Sequence, residues 1–211
     1  MLILSLSILI AISGVLATVT EYSWPRILHY IFKPLTTMAI FFLAFYIGRD
    51  NHSWYKTAIL IGLLFSLAGD VFLMLPKDRF IPGLVSFLMA HLFYISAFTV
   101  GRGFTVTGWL LLVLLIYGTG IFSYLVRGLG SFTTPVFVYL IVILTMVWQA
   151  GENWLATQQT PFLLAFAGAI LFAISDSTLA INRFRKKFPS ARALVLITYF
   201  LAQWLIALSV R

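Results

Sequence analysis

The sequence predicts an all-α membrane protein, a polytopic bundle of about eight transmembrane helices in one domain over residues 1–211. Apolar residues make up 62% of the chain and charged residues only 9%, whereas a soluble domain has roughly 25% charged residues. The apolar residues form long runs, and short connections without a Pro-, Gly- or Ser-rich linker join them. Lipid must therefore solvate most of the surface of this protein.

The apolar runs are close to the ~20 residues that a helix needs to cross a bilayer. The first run has no basic segment before it and no clear cleavage site after it, so we expect a mature helix rather than a signal peptide. A segment rich in polar residues, Gly151–Thr160, is predicted to connect the sixth and seventh helices. The eight runs lie at residues 2–20, 27–48, 57–75, 81–100, 107–126, 132–150, 161–181 and 193–210.

The second, third and fourth runs each contain an ionisable residue. Lys33 lies six or seven residues inside the second run, Asp70 lies near the end of the third, and His91 lies near the middle of the fourth. Placing a charge at the bilayer centre costs about 2.5–3.5 kcal/mol on insertion scales, and such residues usually face the bundle interior. We therefore treat these three residues as candidates for a site.

The seventh run has small residues on one face. Ala165, Ala169, Ala173 and Ser177 recur every four residues and allow a neighbouring helix to approach closely. Asp176 has nearly the same helical angle as Ala165 and should project from this packed face. The third and seventh runs end on the same side of the membrane, so Asp70 and Asp176 are predicted at nearly the same depth.

Lys and Arg are divided unequally between the two ends of the bundle. An excess of Lys and Arg is typical of cytoplasmic loops, so the face richer in these residues is predicted to be cytoplasmic. Both termini are then outside, and Asp70 and Asp176 lie nearer the cytoplasm. We expect a bacterial inner membrane. The net charge of +8 indicates contacts with lipid headgroups rather than with nucleic acid. The richer face has Arg26, Lys33, Lys77, Arg79, Arg127, Arg183, Arg185, Lys186, Lys187 and Arg192; the other has Arg49, Lys56, Arg102 and Arg211.

Each candidate residue also has a structural interpretation. The two aspartates could pair with a lysine or a hydroxyl group to fix helix packing. Lys33 could extend to the headgroups, and His91 could be a core histidine bonded to Tyr94 or to a carbonyl group. The chain has no cysteine and three scattered histidines, so we predict neither a metal site nor another cofactor.

The chain contains five segments whose order and spacing form a pattern: Phe32–Leu35, Leu64–Leu75, Gly83–Tyr94, Gly168–Ser177 and Thr198–Gln203. Together they resemble the YhhN-like lysoplasmalogenase family of eight-helix membrane proteins. The resemblance runs in order from Lys33 to Gln203 and depends on the spacing of the segments. It implies hydrolysis of the vinyl ether bond of lysoplasmalogens, alkenyl-glycerophosphoethanolamine or alkenyl-glycerophosphocholine, to a fatty aldehyde and a glycerophospho-alcohol.

Acid cleaves a vinyl ether through an oxocarbenium ion. A neutral carboxyl group can donate the proton, and an ionised carboxyl group at the same site can stabilise the cation. We therefore predict that Asp70 and Asp176 form the catalytic pair and share one proton. Lys33 would keep one carboxylate ionised or bind the lipid phosphate, and His91 would orient water. The expected hydrogen-bond partners are Ser66, Ser175, Ser177, Tyr94, Asn182 and Gln203, with Lys77 and Arg79 near the headgroup.

Two other functional classes use the same residues. A small transporter or channel would use intramembrane Asp and Lys to move protons or bind substrate, although the sequence has no evident inverted repeat. A non-catalytic lipid-binding protein would not need the carboxyl groups for its function. Purified protein in detergent distinguishes the three classes, because only an enzyme turns over substrate there.

Overall fold

A computed structural model describes residues 2–22, 27–50 and 52–210. Within these ranges the chain is helical, with short connections and no β-strand. The α-helices are α1 (Leu2–Thr20), α2 (Ile27–Ile47), α3 (Trp54–Met74), α4 (Phe80–Thr99), α5 (Gly108–Leu129), α6 (Thr133–Thr157), α7 (Thr160–Phe184) and α8 (Ala191–Leu208), and a 3₁₀ turn (Gly130–Phe132) joins α5 to α6.

In the described part of the chain, seven helical stretches are long and apolar enough to cross a membrane. One of them, Gly108–Thr157, has 50 residues and comprises α5, the 3₁₀ turn and α6. At 1.5 Å per residue, α5 and α6 measure roughly 33 and 37 Å, so each is long enough to cross alone. They pack against each other, and Gly130 lies between them with φ = 52°. The chain therefore reverses there, which agrees with the predicted eight crossings.

The sixth helix is longer than the sequence predicts. The predicted connection Gly151–Thr160 is wrong, because α6 continues to Thr157 and only two residues separate it from α7. The polar residues of this segment have partners inside the bundle: Asn153 donates a hydrogen bond to the carbonyl oxygen of Phe98 on α4. These contacts allow a polar segment to remain helical.

Glu152 lies in the same extension of α6 and caps α5. Its Oε1 accepts hydrogen bonds from the Thr107 backbone amide (2.5 Å) and Trp148 Nε1 (2.9 Å), and its Oε2 accepts one from Thr107 Oγ1 (2.9 Å). A carboxylate at the first amide of a helix satisfies a free donor and interacts favourably with the helix dipole. Glu152 thus stabilises the end of the bundle opposite to the two aspartates.

Neighbouring helices alternate in direction. At one end, Tyr22 OH donates to the Pro189 carbonyl oxygen (2.8 Å) and Arg183 Nη2 to Asp78 Oδ2 (2.7 Å), so the connections after α1, α3 and α7 share one face. We call this end the basic face, because it carries the larger group of basic residues predicted above. The cytoplasmic location of the basic face stays a prediction. Two of the basic residues used for that prediction, Arg26 and Arg211, lie outside the described residues.

The helices differ in how much of their surface faces lipid. α1 and α5 lie at the periphery and expose large apolar side chains, for example Val15 and Ile116. The buried core is formed largely by α2, α3, α4, α6, α7 and α8. The small residues Ala165 and Ala169 of α7 are buried, and Gly168 lies against the backbone of α8 at Ala202. This close packing fixes the position of the helix that carries Asp176.

Candidate active site

Asp70 lies on α3 and is buried among polar side chains of α2 and α8. Its Oδ2 accepts hydrogen bonds from Thr37 Oγ1 (2.7 Å) and Tyr199 OH (2.8 Å). Lys33 Nζ lies 3.2 Å from Oδ1, in ion-pair contact but without hydrogen-bond geometry. Lys33 and Thr37 are one helical turn apart on α2, so they present a cation and a hydroxyl group from the same face. Two donors and a buried cation suit a carboxylate that carries a negative charge.

Asp176 lies on α7 in a different environment. Tyr139 on α6 donates a hydrogen bond to its Oδ2. Among the described residues, Oδ1 accepts no hydrogen bond, and no cation forms an ion pair with this carboxyl group. Asp176 is only partly buried and lines a pocket, whereas Asp70 is 1% exposed. The two carboxyl groups therefore differ in both charge environment and access.

Aromatic rings fill the space between the two carboxyl groups. Phe172 packs edge-on against His91 (4.6 Å between ring centroids) and Tyr199 (5.4 Å), and His91 packs against Tyr139 (5.2 Å). Tyr199 and Tyr139 are the residues that bond to Asp70 and Asp176. The carboxyl groups are thus connected through a continuous aromatic cluster.

Several buried polar atoms around this cluster have no hydrogen-bond partner among the described residues. They are Ser66 Oγ, Asp70 Oδ1, both ring nitrogens of His91 and Gln203 Nε2. Leaving a buried polar group unpaired costs about 1–3 kcal/mol, so native proteins rarely bury several together. These atoms therefore have hydrogen-bonding capacity that the described residues do not fill.

A small pocket with a cavity volume of about 40 Å³ leads to Asp176. Its walls are aromatic and aliphatic side chains of α3, α4, α6 and α7, including Phe87 and Tyr139. A larger apolar groove of about 390 Å³ lies between α1 and α8 and contains neither aspartate. We place the candidate site at the smaller pocket because, of these two cavities, it is the one whose apolar walls include a carboxyl group.

The comparison of this chain with known proteins identifies its family. A sequence model of the YhhN family matches residues 28–210. The chain belongs to the YhhN family. The uncharacterized membrane protein YhhN of Escherichia coli O157:H7 is 30% identical over 202 residues, 96% of each chain. No solved structure matches this chain.

Other relatives have the name of an enzyme. Lysoplasmalogenase TMEM86A of Homo sapiens is 37% identical over 185 residues, which cover 83% of this chain and 74% of that protein. Lysoplasmalogenase TMEM86B of Homo sapiens is 35% identical over 152 residues, 70% of this chain and 60% of that protein. The resemblance noted in the sequence is therefore confirmed: this YhhN family member is a membrane protein related to lysoplasmalogenases.

In this YhhN family member, some of the predicted site residues lie together. Lys33 pairs with Asp70 and His91 packs in the aromatic cluster. Tyr94 OH donates a hydrogen bond to Gln203 Oε1 (2.7 Å) deeper in the bundle. Ser66 lies one turn before Asp70 on α3, on the same helical face.

Other predicted residues make contacts away from the two carboxyl groups. Ser175 Oγ donates to the Val195 carbonyl oxygen on α8 (3.0 Å), and the hydroxyl groups of Ser177 and Tyr117 are hydrogen-bonded (2.7 Å). The side chain of Asn182 accepts a hydrogen bond from the backbone of the α7–α8 connection. These three residues fix α7 against its neighbours. Lys77 and Arg79 are exposed at the basic face, in the connection between α3 and α4.

Three residues that did not stand out in the sequence donate the hydrogen bonds to the two carboxyl groups: Thr37, Tyr139 and Tyr199. Thr37 lies four residues after Lys33, and Tyr199 lies four residues before Gln203. Helical spacing from a candidate residue could therefore have identified both. Tyr139 has no polar candidate at such a spacing on α6, so only the packing of α6 against α7 reveals its role.

Two ion-pair clusters hold the basic face together. Glu21 contacts His29 Nε2 (2.9 Å) and Arg192 Nη1 (3.0 Å) and thereby joins α1, α2 and α8. Burial would raise the pKa of Glu21, but the hydrogen bond and charge of His29 and the charge of Arg192 outweigh burial and lower it. The hydrogen bond from Arg183 lowers the pKa of Asp78, and the Phe80 amide contributes. Both carboxylates are therefore ionised at neutral pH.

Proposed function

We propose that this protein is a membrane-embedded lysoplasmalogenase, an ether hydrolase that cleaves the vinyl ether bond of lysoplasmalogens. The products would be a fatty aldehyde and a glycerophospho-alcohol. The observation that carries the proposal is the contrast between the two carboxyl groups at one aromatic cluster. Asp70 has a cation and two hydroxyl donors, whereas Asp176 has one donor and access to a pocket. The lysoplasmalogenase names of the human relatives support this reaction class.

The reaction requires a proton donor and a negative charge. Protonation of the β-carbon of a vinyl ether produces an oxocarbenium ion, as in glycoside hydrolysis, where two carboxyl groups divide the same roles. The donor must be a neutral acid near the double bond. The second carboxyl group must be ionised to stabilise the cation, most effectively where water is excluded.

We assign the ionised role to Asp70. Lys33, Thr37 and Tyr199 all stabilise a negative charge on this carboxyl group, and burial keeps competing water away. If Asp70 were protonated, the buried Lys33 ammonium group would have no counter-ion, which would cost about 3–5 kcal/mol.

We assign the acid role to Asp176. Tyr139 donates to Oδ2, which leaves Oδ1 as the oxygen that can carry the proton. No cation pairs with Asp176 among the described residues, so little offsets the cost of charging this carboxyl group before the substrate binds. Its position on the pocket wall brings the acid within reach of a bound lipid chain.

The proposed reaction is balanced without another reactant. Asp176 transfers its proton to the β-carbon, a C–H bond forms, and the double bond becomes an oxocarbenium ion. The Asp70 carboxylate stabilises this cation electrostatically across the aromatic cluster. Water adds to the α-carbon and returns one proton to the Asp176 carboxylate. The resulting hemiacetal breaks its bond to the glycerol oxygen, which takes the hydroxyl proton and leaves an aldehyde. His91, whose ring nitrogens are unpaired among the described residues, is suited to orient the water.

The proposal includes a location. We propose a bacterial inner membrane, with both termini outside and the pocket nearer the cytoplasmic face. The unequal distribution of Lys and Arg supports this orientation. Labelling of single cysteines introduced at Asp50 and at Lys186, on opposite faces, would test it in intact cells, because the chain has no native cysteine.

The test of the function is aldehyde release from a lysoplasmalogen by purified protein in detergent, where no membrane gradient exists. We expect turnover by the wild type and a loss of at least about 10²-fold in both Asp70→Asn and Asp176→Asn. Asp50→Asn is the matched control, since this exposed residue pairs with Arg49 at the opposite face, away from both aspartates of the site. Full activity in either site variant would contradict the paired-acid mechanism, and an inactive wild type would contradict the substrate.

A further inference from the structure

Arg183 lies at the end of α7 beside the pocket that contains Asp176. Its guanidinium group is 4.1 Å from the ring centroid of Phe80 and 5.6 Å from that of Phe184, and both rings line the pocket. Phe132 completes a cluster of three rings, with centroids 5.4–5.6 Å apart, beneath the guanidinium group. Stacking on aromatic rings holds an arginine in one orientation. The cation is therefore fixed at the basic-face end of the pocket.

The spacing between Arg183 and Asp176 fits the substrate. Asp176 and Arg183 are seven residues apart, which is a rise of ~10.5 Å along the helix axis and a rotation about 20° short of two full turns. The two residues therefore lie on one face of α7. In a lysoplasmalogen, seven covalent bonds separate the β-carbon of the vinyl ether from the phosphorus atom. At about 1.25 Å per bond in an extended chain, that separation is ~9 Å. A lipid whose β-carbon is at Asp176 would place its phosphate near Arg183.

Arg183 has hydrogen-bonding capacity left for an anion. Its Nη2 donates to Asp78 Oδ2 (2.7 Å), and this is its only hydrogen bond to the described residues. A guanidinium group has five N–H donors in a planar fork that matches phosphate oxygens. The side chain is 33% exposed, and Asp78 is 68% exposed, so an anion can reach the free donors. Lys77 and Arg79 are also exposed, but neither stacks on an aromatic ring of the described residues.

We propose that Arg183 is the phosphate-binding residue of this site, which recognises the phosphodiester group of a single-chain lipid. This inference rests on the proposed function, because the position of the phosphate follows from protonation at Asp176. Asp78 and the three rings orient the guanidinium group. Arg183 thereby selects phosphate-containing substrates over neutral alkenyl glycerols.

The test compares two substrates of equal chain length in a nonionic detergent: an alkenyl-glycerophosphoethanolamine and the corresponding alkenyl glycerol. We expect Arg183→Gln to raise KM for the phosphate-containing substrate about tenfold and to leave turnover of the neutral one unchanged. Turnover of the neutral substrate also shows that the variant is folded. Arg185→Gln is the matched control, since Arg185 packs over Tyr124 instead and should retain wild-type preference.

A second measurement is competitive inhibition by glycerophosphoethanolamine, which contains the phosphate but no chain. Its inhibition constant should rise about tenfold in Arg183→Gln even if the enzyme rejects the neutral substrate. Equal losses for both substrates, or an unchanged inhibition constant, would overturn the inference while leaving the hydrolase function intact. An effect seen only in phospholipid vesicles would assign Arg183 to bulk lipid phosphates and also overturn it. A wild type without turnover would overturn the proposed function itself.

Discussion

Replacing Lys33 by Met tests whether the buried ion pair keeps Asp70 ionised. Lys33 Nζ and Asp70 Oδ1 are 3.2 Å apart, and the two side chains are 11% and 1% exposed. At this distance, an effective dielectric constant of about 20 gives an attraction of roughly 5 kcal/mol. Removing one member of a buried pair typically costs about 3–5 kcal/mol. We therefore expect Lys33→Met to lower the free energy of unfolding by about 3–5 kcal/mol.

The same substitution should reduce catalysis for a separate reason. Without the ammonium group, the folded protein must either keep an unpaired buried charge at Asp70 or protonate this carboxyl group at neutral pH, and both cost free energy. A neutral Asp70 cannot stabilise the oxocarbenium ion. Losing one preorganised electrostatic contact to a transition state lowers kcat by about 10²–10³-fold, and we expect a loss of that size.

The double variant Lys33→Met with Asp70→Asn separates the two effects. It removes both charges, so most of the lost stability should return. Activity should stay absent, because the ionised carboxylate is also missing. Thermal or denaturant unfolding in detergent measures the first quantity, and aldehyde release measures the second.

Two results would refute this reasoning. A Lys33→Met protein with wild-type stability and activity would show that Lys33 does not hold the charge of Asp70. A double variant no more stable than Lys33→Met would show that the lost stability comes from packing rather than from an uncompensated charge.

Two further predictions concern helix packing and the basic face. Gly168→Ala should destabilise the protein by about 1–3 kcal/mol, because the added Cβ would lie 2.8 Å from the Ala202 carbonyl oxygen. The control Gly120→Ala, whose Cβ would lie more than 4 Å from every described heavy atom outside its own helix, should not destabilise the protein in the same unfolding assay. Glu21→Gln should lower the melting temperature at neutral pH. Because the pKa of Glu21 is lowered from 4.5, its stabilising effect is present above pH 4.5 and lost as the pH falls further, so the two proteins should converge in acid.

The membrane helices were predictable because lipid imposes a simple rule on composition. The runs at 2–20 and 27–48 match α1 and α2 to within one residue. The main error was the end of α6, where Glu152 and Asn153 indicated a connection in water. Their hydrogen bonds to α5 and α4 depend on how helices pack, and hydropathy along one helix contains no such information.

The candidate site was predictable only in part. Asp70, Asp176 and Lys33 stood out because ionisable groups are costly in a membrane. Tyrosine is common in membrane proteins because it favours the membrane–water interface. Their residue type therefore did not identify Tyr139 and Tyr199 as site residues. Arg183 belongs to a basic segment that is typical of topology, and only its stacking on Phe80 distinguishes it from its neighbours.

The difference between the two aspartates arises from the helices that surround them. Asp70 faces α2 and α8, which together supply a cation and two hydroxyl donors, whereas Asp176 faces α6, which supplies one. Chemically identical side chains therefore have different charge environments because of packing alone. If this asymmetry assigns the acid role, a cation introduced beside Asp176 should keep it ionised and abolish turnover while both aspartates remain. Tyr139→Lys places such a cation at the existing contact, and Tyr139→Phe controls for the lost hydroxyl group. Full activity in the lysine variant would argue that the acid role does not depend on these surroundings.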